Sequence, residues 1–346
     1  MEAATVGGGI GTMISNKWAA TVASIWIQCT SGTPSTFGIY SSVLKSSQGY
    51  SQSTLDIVAL FKDIGANVGI LAGLMYSAVT YHRPYLGGPR LVILAGSVQC
   101  FLGFFLTWLT VVGVIHRPPV ALVCLFMFFA GHSMPFFNTA SVVTAVHNFR
   151  SYSGTGVGIM KGFLGLSGAI LIQVYRTIFK GNPASFLLLV ALVSTLNPLW
   201  LMWFVRVYDP DGKDERRHLD SFSLVIITIA AYLVAVIILE SIFTFQLWAR
   251  VLILTILLLL LSLPLWIAFR LLKNHDETKK IVGQATFSGI ISCLAATAIK
   301  GKTLGIRQKA ITRRKFEPFA NIPNHQLLAI VSRFGVRYWF WFGHGE

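Results

Sequence analysis

Eight apolar segments, each long enough to cross a lipid bilayer, constrain the fold of this chain more than any other feature. A membrane-spanning helix needs about 20 mostly apolar residues, and every backbone polar group inside the bilayer must be paired within the protein. Only 12% of the 346 residues are charged, whereas soluble domains carry about a quarter. The sequence therefore predicts an all-α, polytopic membrane helix bundle. Its predicted transmembrane helices 1 to 8 cover residues 18–40, 63–81, 91–114, 119–145, 154–177, 184–206, 221–241 and 248–270.

The positive charges predict how these helices are oriented. With the N-terminus inside, the cytoplasmic parts hold 21 Lys and Arg residues, and the outer loops, with Lys62 counted among them, hold 6. The positive-inside rule then places both termini in the cytoplasm. The last 76 residues contain 12 Lys+Arg and 4 Asp+Glu, so they carry more than half of the net charge of +15. In a chain with eight predicted membrane spans, a basic segment fits binding to anionic lipid headgroups better than binding to nucleic acid. The predicted partners therefore include the bilayer and exclude nucleic acid.

A glycine-rich run in helix 5 predicts a close-packing surface. Small residues repeated every three or four positions let a second helix approach the backbone, which is how helices associate in lipid. The glycines near one face of this helix are Gly154, Gly158, Gly162 and Gly165. Lys161 lies in the same run and has two interpretations. Its stem snorkels to the cytoplasmic interface or packs, or its ammonium contacts an anionic solute or a gate.

Helices 1 and 4 are predicted to line a solute path. Cys29–Gly38 (CTSGTPSTFG) and Ala130–Thr139 (AGHSMPFFNT) each combine small and polar residues with a proline, and the two prolines stand 101 positions apart. Secondary transporters carry such interrupted polar helices in corresponding positions of internal repeats. The alternative is hydrogen bonding between helices that serves packing only. Besides Lys161, the candidate path residues are Gln28, Thr33, Pro34, Thr36, His132, Ser133 and Asn138.

The loop between helices 2 and 3 has a turn sequence, HRPYLGGPR, at residues 82–90. Gly88 belongs to a tight turn, and Arg83 and Arg90 are suited to bind helix-end carbonyls or lipid headgroups. No metal-ligand spacing and no nucleophile motif occurs. A relaxed P-loop pattern at Ala296–Thr303 lacks the opening glycine and a following strand that ends in a carboxylate. We therefore expect no metal, no cofactor and no enzymatic activity.

Several separate blocks of the sequence resemble one family of membrane proteins. The segment Asn148–Tyr175 is similar to the helix 4–5 region of plant nodulin-like proteins of the major facilitator superfamily, including the nuclear-fusion-defective type. Lys17–Lys45, Leu60–Gly73 and Val207–Phe222 fit the same family. The resemblance covers about residues 15–272. The turn that ends at Arg90 looks like the superfamily's helix 2–3 motif, although the acidic residue that usually precedes it is absent.

The resemblance implies a division of the chain and a function. The expected parts are a cytoplasmic leader (1–17), a six-helix transporter half (18–206), a cytoplasmic loop (207–220), two additional helices (221–272) and a basic tail unlike the family (273–346). The implied activity is movement of a small solute by alternating access in a full-length form, with this chain truncated after the N-terminal half. The alternative is a non-transporting membrane protein that associates with a full-length partner or organises a membrane. The possible protein partners are a full-length relative and a second copy of this chain.

A verified monomer of this chain is expected not to transport. One half of a major facilitator fold supplies only one wall of a path that lies between two halves. Uptake of a solute into liposomes by purified, monomeric protein would contradict this expectation.

Overall fold

The computed structural model describes residues 17–82, 88–208, 215–243 and 245–271. Every regular element in these ranges is helical, which confirms the predicted all-α class. Two 3₁₀ turns, Thr33–Thr36 and Arg150–Tyr152, connect α1 to α2 and α6 to α7. In chain order the α-helices are α1 (Lys17–Ser31), α2 (Phe37–Gln48), α3 (Gln52–Asn67), α4 (Ile70–His82), α5 (Gly88–Val112), α6 (Val120–Asn148), α7 (Ser153–Ile178), α8 (Pro183–Leu201), α9 (Glu215–Ile242) and α10 (Leu247–Leu271).

Seven helices in the described ranges are long and apolar enough to cross a membrane. The predicted first span, 18–40, is not one of them, because the turn at Thr33–Thr36 divides it into α1 and α2. The multi-pass bundle is therefore confirmed, with a first helix that is broken. The seven are Gln52–Thr80, Gly88–Val112, Val120–Asn148, Arg150–Ile178, Pro183–Leu201, Arg216–Ile242 and Leu247–Leu271.

The second span begins at Gln52 and not at the predicted residue 63. Gly49 ends α2 in the left-handed conformation, with φ 69°, a backbone geometry that glycine adopts without strain. The Ser51 hydroxyl then caps α3 by accepting a hydrogen bond of 3.2 Å from the backbone N–H of Thr54. These two caps leave only a short connection between α2 and α3. The second span therefore includes residues that the sequence pattern assigned to an outer loop.

The two prolines behave differently in the two polar helices. Pro34 stands in the break of the first helix, as predicted. Pro135, in contrast, lies inside α6, which continues without interruption from Val120 to Asn148. Proline removes the backbone hydrogen bond to the residue four positions earlier and its ring crowds that carbonyl, but the flanking turns can hold the helix together with a bend. The predicted correspondence of two interrupted helices is therefore wrong for helix 4.

Two hydrophobic clusters hold the bundle together, and α1 contributes to both. The first cluster joins α2, α3, α4, α5, α6 and α8, with Ala23 and Ile27 of α1 packed into it. The second joins α7, α9 and α10, with Trp18 and Val22 on another face of α1. A helix that is buried on more than one side occupies the centre of a bundle. Helix α1 therefore lies between the two clusters.

Glu240 links the two additional helices to the rest of the bundle. Its side chain is 9% exposed, and it forms an ion pair with Arg176 of α7. The other carboxylate oxygen accepts a hydrogen bond of 2.9 Å from Gln173 Nε2. A largely buried carboxylate is stabilised only when its oxygens are paired in this way. These contacts connect the end of α9 to α7.

Replacing Glu240 with alanine is expected to loosen α9 from α7. The change leaves Gln173 and Arg176 without their acceptor, and because Arg176 is half exposed we expect a loss of about 1–3 kcal/mol. Unfolding in mixed micelles with increasing sodium dodecyl sulfate would measure it. Asp220→Ala is the matched control, since Asp220 is exposed on the same helix. An equal effect of both variants would contradict the role of Glu240.

Candidate functional site

The break in the first helix is built from residues 32–36. The backbone N–H of Ser35 donates to the Gly32 carbonyl at 3.2 Å, and the Ser35 hydroxyl donates to the same oxygen at 2.6 Å. The Thr36 hydroxyl donates to the Thr33 carbonyl at 2.7 Å. Hydroxyl side chains thus satisfy carbonyls that a regular helix would pair through its backbone. The break lies near the middle of the stretch from Lys17 to Gln48.

Helix α7 packs against this break with almost no space between the two segments. A Cβ built on Gly32 would overlap Ser167 Oγ and would lie 3.2 Å from the backbone nitrogen of Gly168. A Cβ built on Gly168 would overlap Ser35 Oγ. The close contact between the first helix and α7 therefore uses Ser167 and Gly168, two and three residues beyond Gly165, the last glycine of the predicted face.

Lys62 is a charged residue in contact with the break, and the sequence pattern placed it in an outer loop. It lies inside α3 and is 8% exposed. Its Nζ donates to the Pro34 carbonyl at 3.1 Å, forms an ion pair of 2.7 Å with Asp63 Oδ1, and sits 5.3 Å from the ring centroid of Phe37. The sequence pattern would have placed Lys62 inside a helix only if it had started the second span at Gln52.

Polar side chains on the neighbouring helices tie α1 to the bundle. Gln28 Nε2 donates to Asn138 Oδ1 of α6 at 3.2 Å, so two predicted path residues meet. Asn197 of α8, which the sequence pattern did not single out, donates from Nδ2 to the Trp26 carbonyl and to Thr30 Oγ1, both at 2.9 Å. These contacts fit the interpretation of helix packing, because they satisfy polar groups between helices.

Several buried oxygens on α1 and α6 remain without a protein partner. Gln28 Oε1 is completely buried, and no hydrogen bond reaches it from the residues that the structure describes. The hydroxyl oxygens of Ser24, Ser141 and Thr144 are also buried without a hydrogen-bond partner among the described residues. A buried polar atom without a partner costs free energy unless water or a ligand satisfies it. The interior between α1 and α6 is therefore polar enough to accept water or part of a solute.

His132 and Ser133 lie inside the bundle and do not face an open space. His132 is 4% exposed, its Nδ1 is 2.6 Å from Gln99 Oε1, and its ring stacks on Phe128. Ser133 donates its hydroxyl to the Ala130 carbonyl at 2.8 Å. His132 thus joins α6 to α5, whereas Ser133 bonds to the preceding turn of α6. Thr33, Pro34 and Thr36 are likewise buried at the break.

Lys161 and most of the predicted glycine face are exposed. Gly154, Gly158 and Gly165 have nothing within 4 Å of a built Cβ, apart from their own helix, in the part of the chain that is described. A Cβ built on Gly162 would lie 3.0 Å from Ile226 Cγ2 of α9. The glycine face as a close-packing surface therefore stays a prediction.

The loop motif is described only in part. Arg83 lies outside the described residues. Gly88 opens α5, and a Cβ there would overlap Thr80 Oγ1 of α4. Arg90 donates from Nη2 to the Trp203 carbonyl at 2.8 Å and lies over the Trp203 ring. Arg90 therefore binds a carbonyl just after the end of α8.

An apolar groove of about 530 Å³ lies apart from these polar contacts. It is bounded by α3 and α6, and its lining is almost entirely hydrocarbon, with Ile57, Phe61 and Leu125 among its side chains. A polar solute finds no hydrogen-bond donors along such a lining. The polar residues at the break therefore remain the candidate site.

A broken, polar first helix inside a multi-pass α-helical bundle defines a transporter-like integral membrane protein. A family model described as Nodulin-like matches residues 17–269. The chain therefore belongs to the Nodulin-like family. It is 31% identical over 220 residues to Protein NUCLEAR FUSION DEFECTIVE 4 of Arabidopsis thaliana, covering 62% of this chain and 36% of that relative. No solved structure matches the chain.

Proposed function

We propose that this protein moves a small solute across a membrane by alternating access, with the break in the first helix forming part of the path. The observation that carries the proposal is Lys62, a charge held at the depth of the break. A charged side chain in the apolar region is costly and is characteristic of substrate or ion pathways. Irregular backbone at this depth is tolerated only where protein or water pairs its polar groups.

The exposed residues around the break support the same proposal. Ser35 is exposed in the turn between α1 and α2. Asp63 and Asn67 are exposed on α3, and Lys161 is exposed on α7. Such polar groups are unfavourable against lipid. We propose that they face a water-filled cavity whose other wall comes from further helices, either in a longer polypeptide or in a partner. The matched region is about a third of the length of the Arabidopsis relative, so the activity of a whole protein belongs to this proposal.

The domain division and orientation of the chain are also part of the proposal. Helices α1 to α8 would form a six-pass transporter half, and α9 and α10 would add two further passes beside α7. Both termini would lie in the cytoplasm. The contact of Glu240 with α7 supports packing of the additional helices against this half. The basic segment 273–346 lies outside the described residues.

Cysteine accessibility tests alternating access without knowledge of the solute. Ser35→Cys places a thiol at the exposed edge of the break, in a Cys293→Ser background in which the cysteines of the described residues are buried. We expect a membrane-impermeant thiol reagent to label this cysteine from either side, in right-side-out and in inverted vesicles that hold the chain together with the further helices that complete the cavity. The reason is that a thiol in an alternating cavity meets water from both sides in turn, and the reagent needs water.

The control for this experiment is Leu74→Cys. Leu74 is 62% exposed on the apolar surface of α4, where we expect lipid and therefore no labelling. Labelling of Ser35→Cys from one side only, or from neither side, would contradict alternating access. The latter result would favour a non-transporting protein whose break is covered by a partner.

A further inference from the structure

Four buried oxygen atoms on α1 and α6 have no partner among the residues that the structure describes. They are Gln28 Oε1 and the hydroxyl oxygens of Ser24, Ser141 and Thr144. Each of these residues is at most 1% exposed. A polar atom that is buried this fully and stays unpaired is unfavourable, so the four oxygens are suited to bind a ligand.

Two contacts fix how α1 and α6 lie against each other. The ring centroids of Trp18 and Phe149 are 5.2 Å apart, and Gln28 Nε2 is 3.2 Å from Asn138 Oδ1. Trp18 begins α1 and Phe149 directly follows α6, whereas Gln28 and Asn138 lie farther along each helix toward its other end. The two helices are therefore antiparallel, and a step forward along α1 matches a step back along α6.

This register brings the oxygens of both helices to the same level of the bundle. Ser24 precedes Gln28 by four residues, so the two share a face of α1. Ser24 also lies level with the turn of α6 that carries Ser141 and Thr144. Ser141 follows Asn138 by three residues and lies on the side of α6 that contacts α1. One small ligand beside Ser24 can therefore meet oxygens from both helices.

The hydroxyl groups of this region are not used by their own helices. Several buried hydroxyls elsewhere donate to a carbonyl one turn back, as Thr107 does to the Gly103 carbonyl at 2.7 Å. Such a bond satisfies a hydroxyl within its own helix. Ser24, Ser141 and Thr144 make no bond of this kind. Their oxygen atoms thus keep lone pairs for a group that lies between the helices.

The chemistry of the region favours a small monovalent cation. Gln28 uses its amide nitrogen to bond Asn138, so its Oε1 can only accept, and it repels an anion. The direct contact between these two side chains leaves no room for a ligand of many atoms. Residues 18–31 of α1 and the whole of α6 contain no Asp or Glu. Divalent cations bind through carboxylates, which offset their dehydration, so a divalent ion does not fit.

We propose that Ser24, Gln28 and Ser141 bind a monovalent cation of the size of sodium, with Thr144 as a fourth oxygen ligand. The neutral oxygen atoms replace the hydration shell of the ion. Secondary transporters bind their coupling ions through oxygen atoms near the middle of the bilayer. The inference goes beyond the proposed function, because a bound ion stabilises the bundle whether or not a solute moves.

Thermal unfolding of the purified full chain in detergent tests this proposal, with sodium chloride as the probe. The matched control is N-methyl-D-glucamine chloride, whose cation is too large for the site. Ionic strength is held constant, because surface charges respond to any salt. We expect sodium to raise the unfolding midpoint in a saturable manner and the larger cation to leave it unchanged, since a ligand of the folded state stabilises that state.

Substitutions of single oxygen ligands then locate the ion. Ser24→Ala and Ser141→Ala are each expected to weaken sodium binding by about 10-fold or more, because each removes one ligand. Thr144→Val and Thr107→Val form a matched pair, since both remove a fully buried hydroxyl and keep the shape of the side chain. We expect Thr144→Val to weaken binding by about 3-fold. Thr107→Val should leave it unchanged, because the Thr107 hydroxyl bonds to its own helix.

Two results would overturn the proposal. The first is an unfolding midpoint that responds equally to both cations, which would show that water satisfies the four oxygens. The second is a sodium response that Ser141→Ala, Thr144→Val and Thr107→Val all retain, which would place the ion elsewhere. The valine pair keeps the test decisive if a serine variant fails to fold. None of these measurements involves transport, so two-sided labelling of Ser35→Cys can succeed or fail independently of them.

Discussion

Replacing Gly131 with valine is expected to separate α6 from α3 and to unfold much of the bundle. A Cβ at residue 131 would overlap the Lys62 carbonyl oxygen and would lie 3.1 Å from the backbone nitrogen of Ala66. Both atoms belong to the backbone of α3, so no side-chain rotation can relieve the contact. Overpacking of a tight interior costs about 1–3 kcal/mol and occasionally more, and rigid backbone neighbours place this variant at the upper end of that range.

Unfolding in mixed micelles and the yield of monodisperse protein would measure this loss. The matched control is Gly73→Val, because Gly73 lies in the same transmembrane span as Lys62 and has nothing within 4 Å of a built Cβ. Gly65→Val should behave like Gly131→Val, since its Cβ would overlap the Phe128 carbonyl oxygen of α6. A stable Gly131→Val protein would show that α3 and α6 are not packed backbone to backbone.

Replacing Gly32 with alanine is expected to destabilise the contact between the broken first helix and α7. The new methyl group would overlap Ser167 Oγ and would lie 3.0 Å from Ser167 Cβ. We expect a loss of about 1–3 kcal/mol in the free energy of unfolding, measured in the same micelle titration.

A double-mutant cycle separates this overlap from other effects of the substitution. Ser167→Gly removes the side chain that the new methyl group meets, and alone it costs about 1 kcal/mol, as glycine does in a helix. In the Gly32→Ala, Ser167→Gly protein the two losses should not add, and we expect a favourable coupling of at least about 1 kcal/mol. Additive losses would show that the destabilisation has another origin.

The membrane class and most of the span positions follow from the sequence because they depend on local properties. Length and apolar character decide whether a segment can cross a bilayer, and both can be counted along the chain. The clearest failure is the start of the second span, which the pattern placed at residue 63, so that Lys62 was assigned to the outer loop. The pattern alone does not show that a lysine is paired inside a helix bundle.

The glycine run shows the same limit of the sequence pattern. Its spacing marks a helix face without side chains, and the family resemblance of that segment is confirmed. The spacing does not say which neighbour covers the face. In the structure, Ser167 and Gly168 make the close approach to the first helix, while Gly158 and Gly165 are exposed. That choice depends on how α7 is rotated against α1 and α9.

The sequence by itself determined a multi-pass helical membrane protein of the Nodulin-like family, with polar residues concentrated in the first and fourth helices. The sequence also predicted an interruption at Pro34, but only the tertiary structure showed that α6 runs through Pro135 without one. Only the tertiary structure also placed the Lys62 ammonium on the Pro34 carbonyl. The physical reason is that composition and periodicity describe each helix separately. Whether a charge can be buried depends on its partner. The Pro34 carbonyl oxygen lies 28 residues from Lys62 in the sequence and 3.1 Å from Lys62 Nζ in space.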